Sequence, residues 1–534
     1  MSIPTLADLA LPQVIINIFA GFPTPSMRLN RDTSNKMFRR MIPFHHSFAD
    51  EFYSTISNIL NVSEVSLAGG SKLGGFSGLT RYHTDKERRQ DCKTYPMDPP
   101  GVVRARHRKK IQFFIDIHAL LRDMLNEESR KALVHLDLSP EPSNNRSTGR
   151  DEQFIDNWVS QIAPLLPSLQ SLSIRLRFTT PSEFRALCER FQNLQILDLT
   201  NTDIESLCGI SQLKELQTLR IGGLLLKQDD SFDEIFELTN LRNLSFEASS
   251  NCGCCCHGKT INLYLASGKS VPSVHLDFSQ TATTVRDESV ATLVRAHPNL
   301  KSISICGTHL TAVNKPGIKV FHCSTFSGAI EALQFYVDMK NQWMVTAVMD
   351  NLKSTAFIAS TEELESCLSI VNSAMEAYSY IQLMSDCGCK FYERLMNSHS
   401  LNIFREEDKE KMFKILLNDI TRRTSVPGDM HEHCREFDVL DKRALLREVS
   451  FLDVQLICRG ALMSMQKLTG RQGAISHVLV LDILKDRMDP TSKTFEGVEK
   501  QKVSEYLERE RDRGVWRDER EMIISVEEFV NANF

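Results

Sequence analysis

An apolar frame of the form L-x-x-L-x-L limits what this chain can fold into more than any other feature. The clearest copy is Leu194-x-x-Leu197-x-Leu199, and the frame returns at Leu169-Leu172-Ile174, Leu216-Leu219-Ile221, Leu241-Leu244-Phe246 and Leu300-Ile303-Ile305. Further copies stand at Val62-Val65-Leu67 and Leu133-Leu136-Leu138, and a weaker one at Ser273-Leu276-Phe278 lacks its first Leu. In each copy the last two apolar residues alternate as on a short strand, both pointing inward, with the residues between them pointing out. One copy alone cannot bury its apolar column. Stacked neighbours can, so the frame demands a repeating array.

The central positions fall at 172, 197, 219, 244, 276 and 303, so the steps are 25, 22, 25, 32 and 27 residues by subtraction. This spacing predicts leucine-rich repeats, whose units run about 20–29 residues. The one long step contains the Cys-rich loop 251–258. Thr202 and Thr308 occupy the slot after the frame that Asn often fills, where a side chain can hydrogen-bond the turning backbone. The outward positions form a row: Ser173, Asp198, Arg220, Ser245, Asp277 and Ser304. It is short-chained and mixed in charge, which suits a peptide or loop of a partner protein. A merely solvated row is the alternative.

From about residue 320 the period changes. Ile330, Leu333 and Val337 take helical spacing, as do Val345, Val348 and Leu352. Leu364, Leu368, Val371, Met375 and Tyr378 form a longer stripe, and Val454, Ile457, Ala461, Met465 and Leu468 another. Successive helices with short polar links predict an α-solenoid of armadillo or HEAT type, with a compact bundle as the alternative. The expected architecture is therefore an α/β leucine-rich-repeat solenoid followed by an all-α armadillo/HEAT-like domain, after a short N-terminal helical box. The expected boundaries are 1–50 for the box, 51–315 for the repeats and 316–534 for the helices. The repeats carry a polar, basic insertion at 81–110.

Composition narrows the function. The 534 residues carry a net charge of -5 with a pI near 6.3, which favours neither nucleic acid nor an anionic membrane as partner. No stretch of about 18 apolar residues occurs, and the N-terminus lacks a signal-peptide pattern. The expected compartment is the cytoplasm and/or nucleus, with the 14 cysteines reduced. The basic run Arg104–Lys110 has no interleaved aromatics and reads as a solvated loop, with nuclear import as the next reading. Cys252 and Cys255 have C-x-x-C spacing, but no second pair accompanies them, so no metal is expected. Gly69–Gly78 lacks the Gly-Lys-Ser/Thr of a phosphate loop, and neither H-E-x-x-H nor G-x-S-x-G occurs. Catalytic residues and cofactors are not expected.

At the N-terminus, Leu6, Leu9, Ala10 and Val14 would share one helix face, interrupted by Pro12. The small Ala10 would let a partner approach while Leu6 fills its pocket. With Thr5 these residues resemble the BC-box that docks on elongin C, although the usual pattern has Cys at the position of Ala10. Leu11-Pro12 through Ile18-Phe19 also resembles an F-box opening. The order of parts resembles the Zyg-eleven/Zer family of substrate receptors of elongin–cullin-2 ubiquitin ligases. Residues 194–219, with the phrase Leu-Asp-Leu-Thr-Asn-Thr-Asp-Ile at 197–204, carry the likeness best, together with Ala329–Tyr336 and Val345–Val348.

The resemblance implies a non-catalytic receptor. Thr5, Leu6, Leu9, Ala10 and Val14 would bind elongin C of the elongin B/C pair. A following segment, Phe22-Pro23-Thr-Pro25 or Ile42-Pro43-Phe44, would meet cullin-2. The solenoids would hold a protein substrate, whose signal in family members with a complete armadillo region is a small N-terminal residue such as Gly. Two alternatives stay open: a ligase-independent repeat scaffold, and an F-box-like receptor for a cullin-1 ligase.

Overall fold

The computed structural model describes residues 60–66, 113–139, 152–224, 230–247, 257–281, 287–308, 317–355, 360–378, 381–398, 484–491, 498–512 and 517–533, with isolated positions elsewhere. These residues fall in two units, one within Arg28–Val320 and the other within Phe321–Phe534.

In the first unit the leucine frame becomes a nine-stranded sheet whose strands lie side by side in chain order. They are β1 (Glu64–Ser66), β2 (His135–Asp137), β3 (Ser171–Ser173), β4 (Ile196–Asp198), β5 (Thr218–Arg220), β6 (Asn243–Ser245), β7 (His275–Asp277), β8 (Ser302–Ser304) and β9 (Lys319–Phe321). The first eight pair in parallel. Their middle residues stand in one register: Val65, Leu136, Leu172, Leu197, Leu219, Leu244, Leu276 and Ile303. None of these eight is more than 3% exposed. Each fully buried side chain of this size stabilises by about 1.5–3 kcal/mol, so the column is the main cohesive element of the unit.

The last apolar position of the frame builds a parallel column of Leu138, Ile174, Leu199, Ile221, Phe246, Phe278 and Ile305. Phe246 and Phe278 stack with ring centroids 5.6 Å apart and planes 7° from parallel. Helices or 3-10 turns close the other side of several repeats, such as Trp158–Ile162, Pro181–Arg190, His257–Ala266 and Asp287–Ala296, or Ile210–Gln212. Ser273, in place of the missing first Leu, is buried, and β7 still takes its full place in the sheet. β9 has no leucine frame and was not legible from the spacing.

The turns that follow β3, β4, β5, β7 and β8 are built alike. The second residue after the frame is left-handed: Leu176, Asn201, Gly223, Gln280 and Gly307 have φ between 55° and 68°. The peptide ladder continues through this turn, with Leu176 N donating to Thr200 O, Asn201 N to Gly222 O and Gln280 N to Cys306 O, all within 3.1 Å. Thr202 fills the Asn slot as the sequence implied, its hydroxyl donating to Ile174 O of the preceding repeat at 3.1 Å. Arg177 does the same one repeat earlier, with Nε donating to Leu138 O at 2.9 Å. Thr308 instead donates to Ile305 O of its own repeat at 2.7 Å.

The described part of the second unit is helical. We label its helices α1 (Phe326–Asp338), α2 (Gln342–Thr355), α3 (Thr361–Tyr378), α4 (Gln382–Ser398), α5 (Lys500–Asp512) and α6 (Arg517–Asn533). Thr325 caps α1, accepting from Gly328 N, and Ser360 with Glu363 forms a reciprocal capping box at the start of α3. The α3 stripe Leu364, Leu368, Val371, Met375 and Tyr378 is buried throughout. Val337 of α1 is only half-buried, and Tyr336 beside it takes the interior place. α1 packs on α2 and α3, and α2 packs on α4. α5 and α6 form a hairpin around Val503, Tyr506, Leu507, Ile523, Val526 and Val530. Among the described residues no helix is long and apolar enough to cross a membrane.

Gly222 tests the closeness of the repeats. A Cβ there would overlap the backbone carbonyl of Glu247, which has no flexible end to move. Gly222→Ala is expected to cost about 3 kcal/mol, the upper end for overpacking. Gly268→Ala, where φ is +63° but no atom lies within 4 Å of the added Cβ, is expected to cost about 1 kcal/mol. Chemical denaturation of the two variants checks the difference.

Candidate protein-binding face of the sheet

Three rows of side chains leave the sheet on the face opposite the leucine column. The row before the middle leucine runs Glu64, His135, Ser171, Ile196, Thr218, Asn243, His275 and Ser302. The row after it holds Asp137 and the six residues singled out by the sequence, Ser173, Asp198, Arg220, Ser245, Asp277 and Ser304. Two residues further on lie Ser139, Arg175, Thr200, Gly222, Glu247, Ser279 and Cys306.

Exposure falls steadily across these rows. In the first row only Thr218 and His275 are buried, and the rest are half-buried. In the second, Ser173 is half-buried while Asp198, Arg220, Ser245, Asp277 and Ser304 are all at or below 6% exposure. The third row is buried throughout.

The second row is engaged with its own backbone. Oδ1 of Asp137, Asp198 and Asp277 accepts from the backbone N–H two residues ahead, at Ser139, Thr200 and Ser279, with distances of 2.9–3.0 Å. Ser245 Oγ accepts from Glu247 N in the same way at 3.2 Å. A short side chain that closes such a turn satisfies an N–H leaving the ladder, which explains why Asp and Ser recur in this row. The sequence showed the recurrence but not this use of it.

Missed altogether in the sequence was a buried charge network through the third row. Arg175 Nη1 lies 2.5 Å from Glu247 Oε1 and 3.7 Å from Asp198 Oδ2, and Arg220 Nη1 lies 3.5 Å from the same Asp198 oxygen. Arg175 follows β3 and Glu247 follows β6, three strands away. The positions between them in that row are Thr200 and Gly222, small enough for a guanidinium to reach across. Two arginines and two carboxylates leave the network neutral, as burial requires. Arg177 stands beside it, with its guanidinium carbon 5.3 Å from the centre of the Phe154 ring.

His275 is the buried titratable group of the first row. Nδ1 is 2.9 Å from Ser302 Oγ, and Nε2 is 3.5 Å from Ser304 Oγ. Burial disfavours the imidazolium and pushes its pKa down to about 3. His297 is lowered for the same reason. Its Nδ1 lies 2.7 Å from Leu293 O and its Nε2 lies 2.6 Å from the Tyr264 hydroxyl.

Thr5, Leu6, Leu9, Ala10 and Val14, the adaptor-binding residues expected from the sequence, lie outside the described residues, as do Cys252–Cys256 of the Cys-rich loop and the 81–110 insertion. Cys387 and Cys389 are buried on α4. The glycine between them makes room for Met375, whose sulfur would overlap a Cβ at that position.

No protein-family model matches the chain. The chain is 26% identical over 272 residues to Gastrulation-defective protein 3 of Caenorhabditis elegans, a match that takes in 50% of this chain and 36% of that protein. The two are distantly related, and the chain spans little more than a third of its relative.

Two outcomes follow from the buried charges. Glu247→Ala takes from buried Arg175 its nearest carboxylate and is expected to cost about 3–5 kcal/mol, whereas Arg175→Met with Glu247→Leu recovers most of that loss. Thermal and denaturant unfolding of both proteins measures it. For His275 the folded pKa lies below the ordinary value of 6.5, so the unfolded chain binds the extra proton first. The stability this supplies is complete above pH 6.5 and falls as pH drops toward 3, by up to about 1.4 kcal/mol per pH unit. Denaturation between pH 6.5 and about 5, above most carboxylate titration, is expected to show a shallower slope for His275→Gln than for the wild type.

Proposed function

We propose that this protein is a substrate-recognition subunit of an elongin B/C–cullin-2 type ubiquitin ligase. In this reading a leucine-rich-repeat solenoid, followed by an armadillo-like helical solenoid, holds target proteins for ubiquitination and degradation. It is not itself an enzyme. The observation that carries the reading is the unbroken register from β1 to β8, because a sheet that repeats in one direction offers a long face to a partner. The half-buried members of the first row (Glu64, His135, Ser171, Ile196, Asn243 and Ser302), with Asp137 and Ser173 of the second, are its accessible groups. The helical unit supports the second solenoid: α1 packs on α3 and α2 on α4, the pattern of stacked helix pairs. The run Thr5–Val14 is the candidate elongin C contact, and Phe22-Pro23-Thr-Pro25 or Ile42-Pro43-Phe44 after it is the candidate cullin-2 contact.

Purified elongin B/C is expected to capture the full chain, and Leu6→Ala with Ala10→Asp to abolish capture. Failure of the intact protein to bind would sink the ligase reading. Capture by a cullin-1 adaptor instead would select the F-box-like alternative, and capture by neither would leave a repeat scaffold that works outside these ligases.

A further inference from the structure

The turns after β3 and β4 contain polar groups that the fold buries without using. Asn201 is 5% exposed, and neither Nδ2 nor Oδ1 has a hydrogen-bond partner. The neighbouring Thr200 hydroxyl, fully buried, also lacks one, as does the buried Thr179 hydroxyl. Thr200 and Asn201 are consecutive, and the backbone brings Thr179 to the strand that follows them, opposite Ile204. Leu176 N donates to Thr200 O, and Phe178–Thr179 pairs with Asp203–Ile204 as a short parallel ladder.

The fold does not need a carboxamide at position 201. Gly223 and Gly307 fill the equivalent place in other repeats with φ of 66° and 68°, against 55° for Asn201. Glycine takes that conformation without strain, and it has no amide to strip of water. Asn201 therefore carries two costs that the repeats with glycine avoid. Residues that break a local rule without a compensating contact are concentrated at functional sites.

We propose that Thr179, Thr200 and Asn201 form a subsite for the main chain of an extended peptide. A carboxamide offers one donor and one acceptor side by side, which matches the N–H and C=O that an extended strand presents along one edge. The hydroxyls can pair with either group. Recognition of this kind reads backbone, not side chains. Access requires the covering atoms to move, and the unused groups favour that opening, because they gain hydrogen bonds as soon as water or a peptide reaches them. The identity of the peptide as a ligase substrate rests on the proposed function above; the subsite itself does not.

The test uses the full chain and peptides selected on it from a random phage-displayed library. Asn201→Gly is expected to raise the melting temperature by roughly 2–4 °C. It is expected to weaken the selected peptides by at least about ten-fold, as loss of a paired contact does. N-methylation of the peptide main chain at one position should reproduce that loss in the wild type and add nothing in Asn201→Gly. Elongin B/C capture should be unchanged in the variant, so failure of the ligase reading and failure of the subsite are read separately. A lower melting temperature would show that the amide is satisfied within the fold and would overturn the proposal. So would a library that yields no binder, or binders indifferent to Asn201→Gly.

Discussion

The rest of the first unit hangs on the register of its middle leucines. Val65 through Ile303 stand in line because each strand pairs residue for residue with the next. A slip of one residue in any strand would turn its leucine outward and a Ser, Asp or Arg inward. The alternation of strand side chains thus ties burial to pairing, and pairing to the direction of every outward row. It also brings Arg175 within reach of Glu247, 72 residues later. A repeat array makes such contacts by stacking alone, without long excursions of the backbone between them.

Polarity on the outward face has two different roles. Asp137, Asp198, Ser245 and Asp277 hold their own turns and are occupied by the backbone. Arg175, Asp198, Arg220 and Glu247 compensate one another in a low-dielectric setting, where geometry decides whether a pair stabilises. Neither role needs a ligand. Six of the eight residues in the row from Glu64 to Ser302 are half-buried, which places most of the accessible part of the face on the near side of the leucines and not in the row singled out from the sequence.

Much of this arrangement was legible in the sequence. The leucine frame placed β1 through β8 correctly, including the repeat around Leu276 that lacks its first Leu, because periodicity survives one substitution. The helical stripe of α3 was likewise complete, since five residues at helical spacing leave little ambiguity. β9 was not legible: Lys319–Phe321 pairs through its backbone, and no apolar frame announces it. The burial of Asp198 and Asp277 was not legible either. Alternation tells which way a side chain points, but not what comes to lie over it. The charge network depends on contacts between repeats far apart in the chain, and single residues such as Arg175 and Glu247 look like ordinary surface charges until the stacking is known. The run Thr5–Val14 lies outside the described residues, so its part in the candidate site still rests on its spacing.

The two units are built differently, one on a parallel sheet and the other on packed helices, yet a glycine marks a tight approach in each. In the sheet, Gly222 admits the carbonyl of Glu247 from the next repeat, and its missing side chain also clears the way between Arg175 and Glu247. On α4, Gly388 admits the thioether of Met375 from the adjacent helix α3. In the first case backbone meets backbone, and no side chain can relax to accommodate a methyl group. In the second the intruding atom belongs to a flexible methionine, which can find another rotamer. The same substitution should therefore be far less tolerable in the sheet. Tolerance to change in this protein is set less by how buried a position is than by whether the neighbour it meets is free to move.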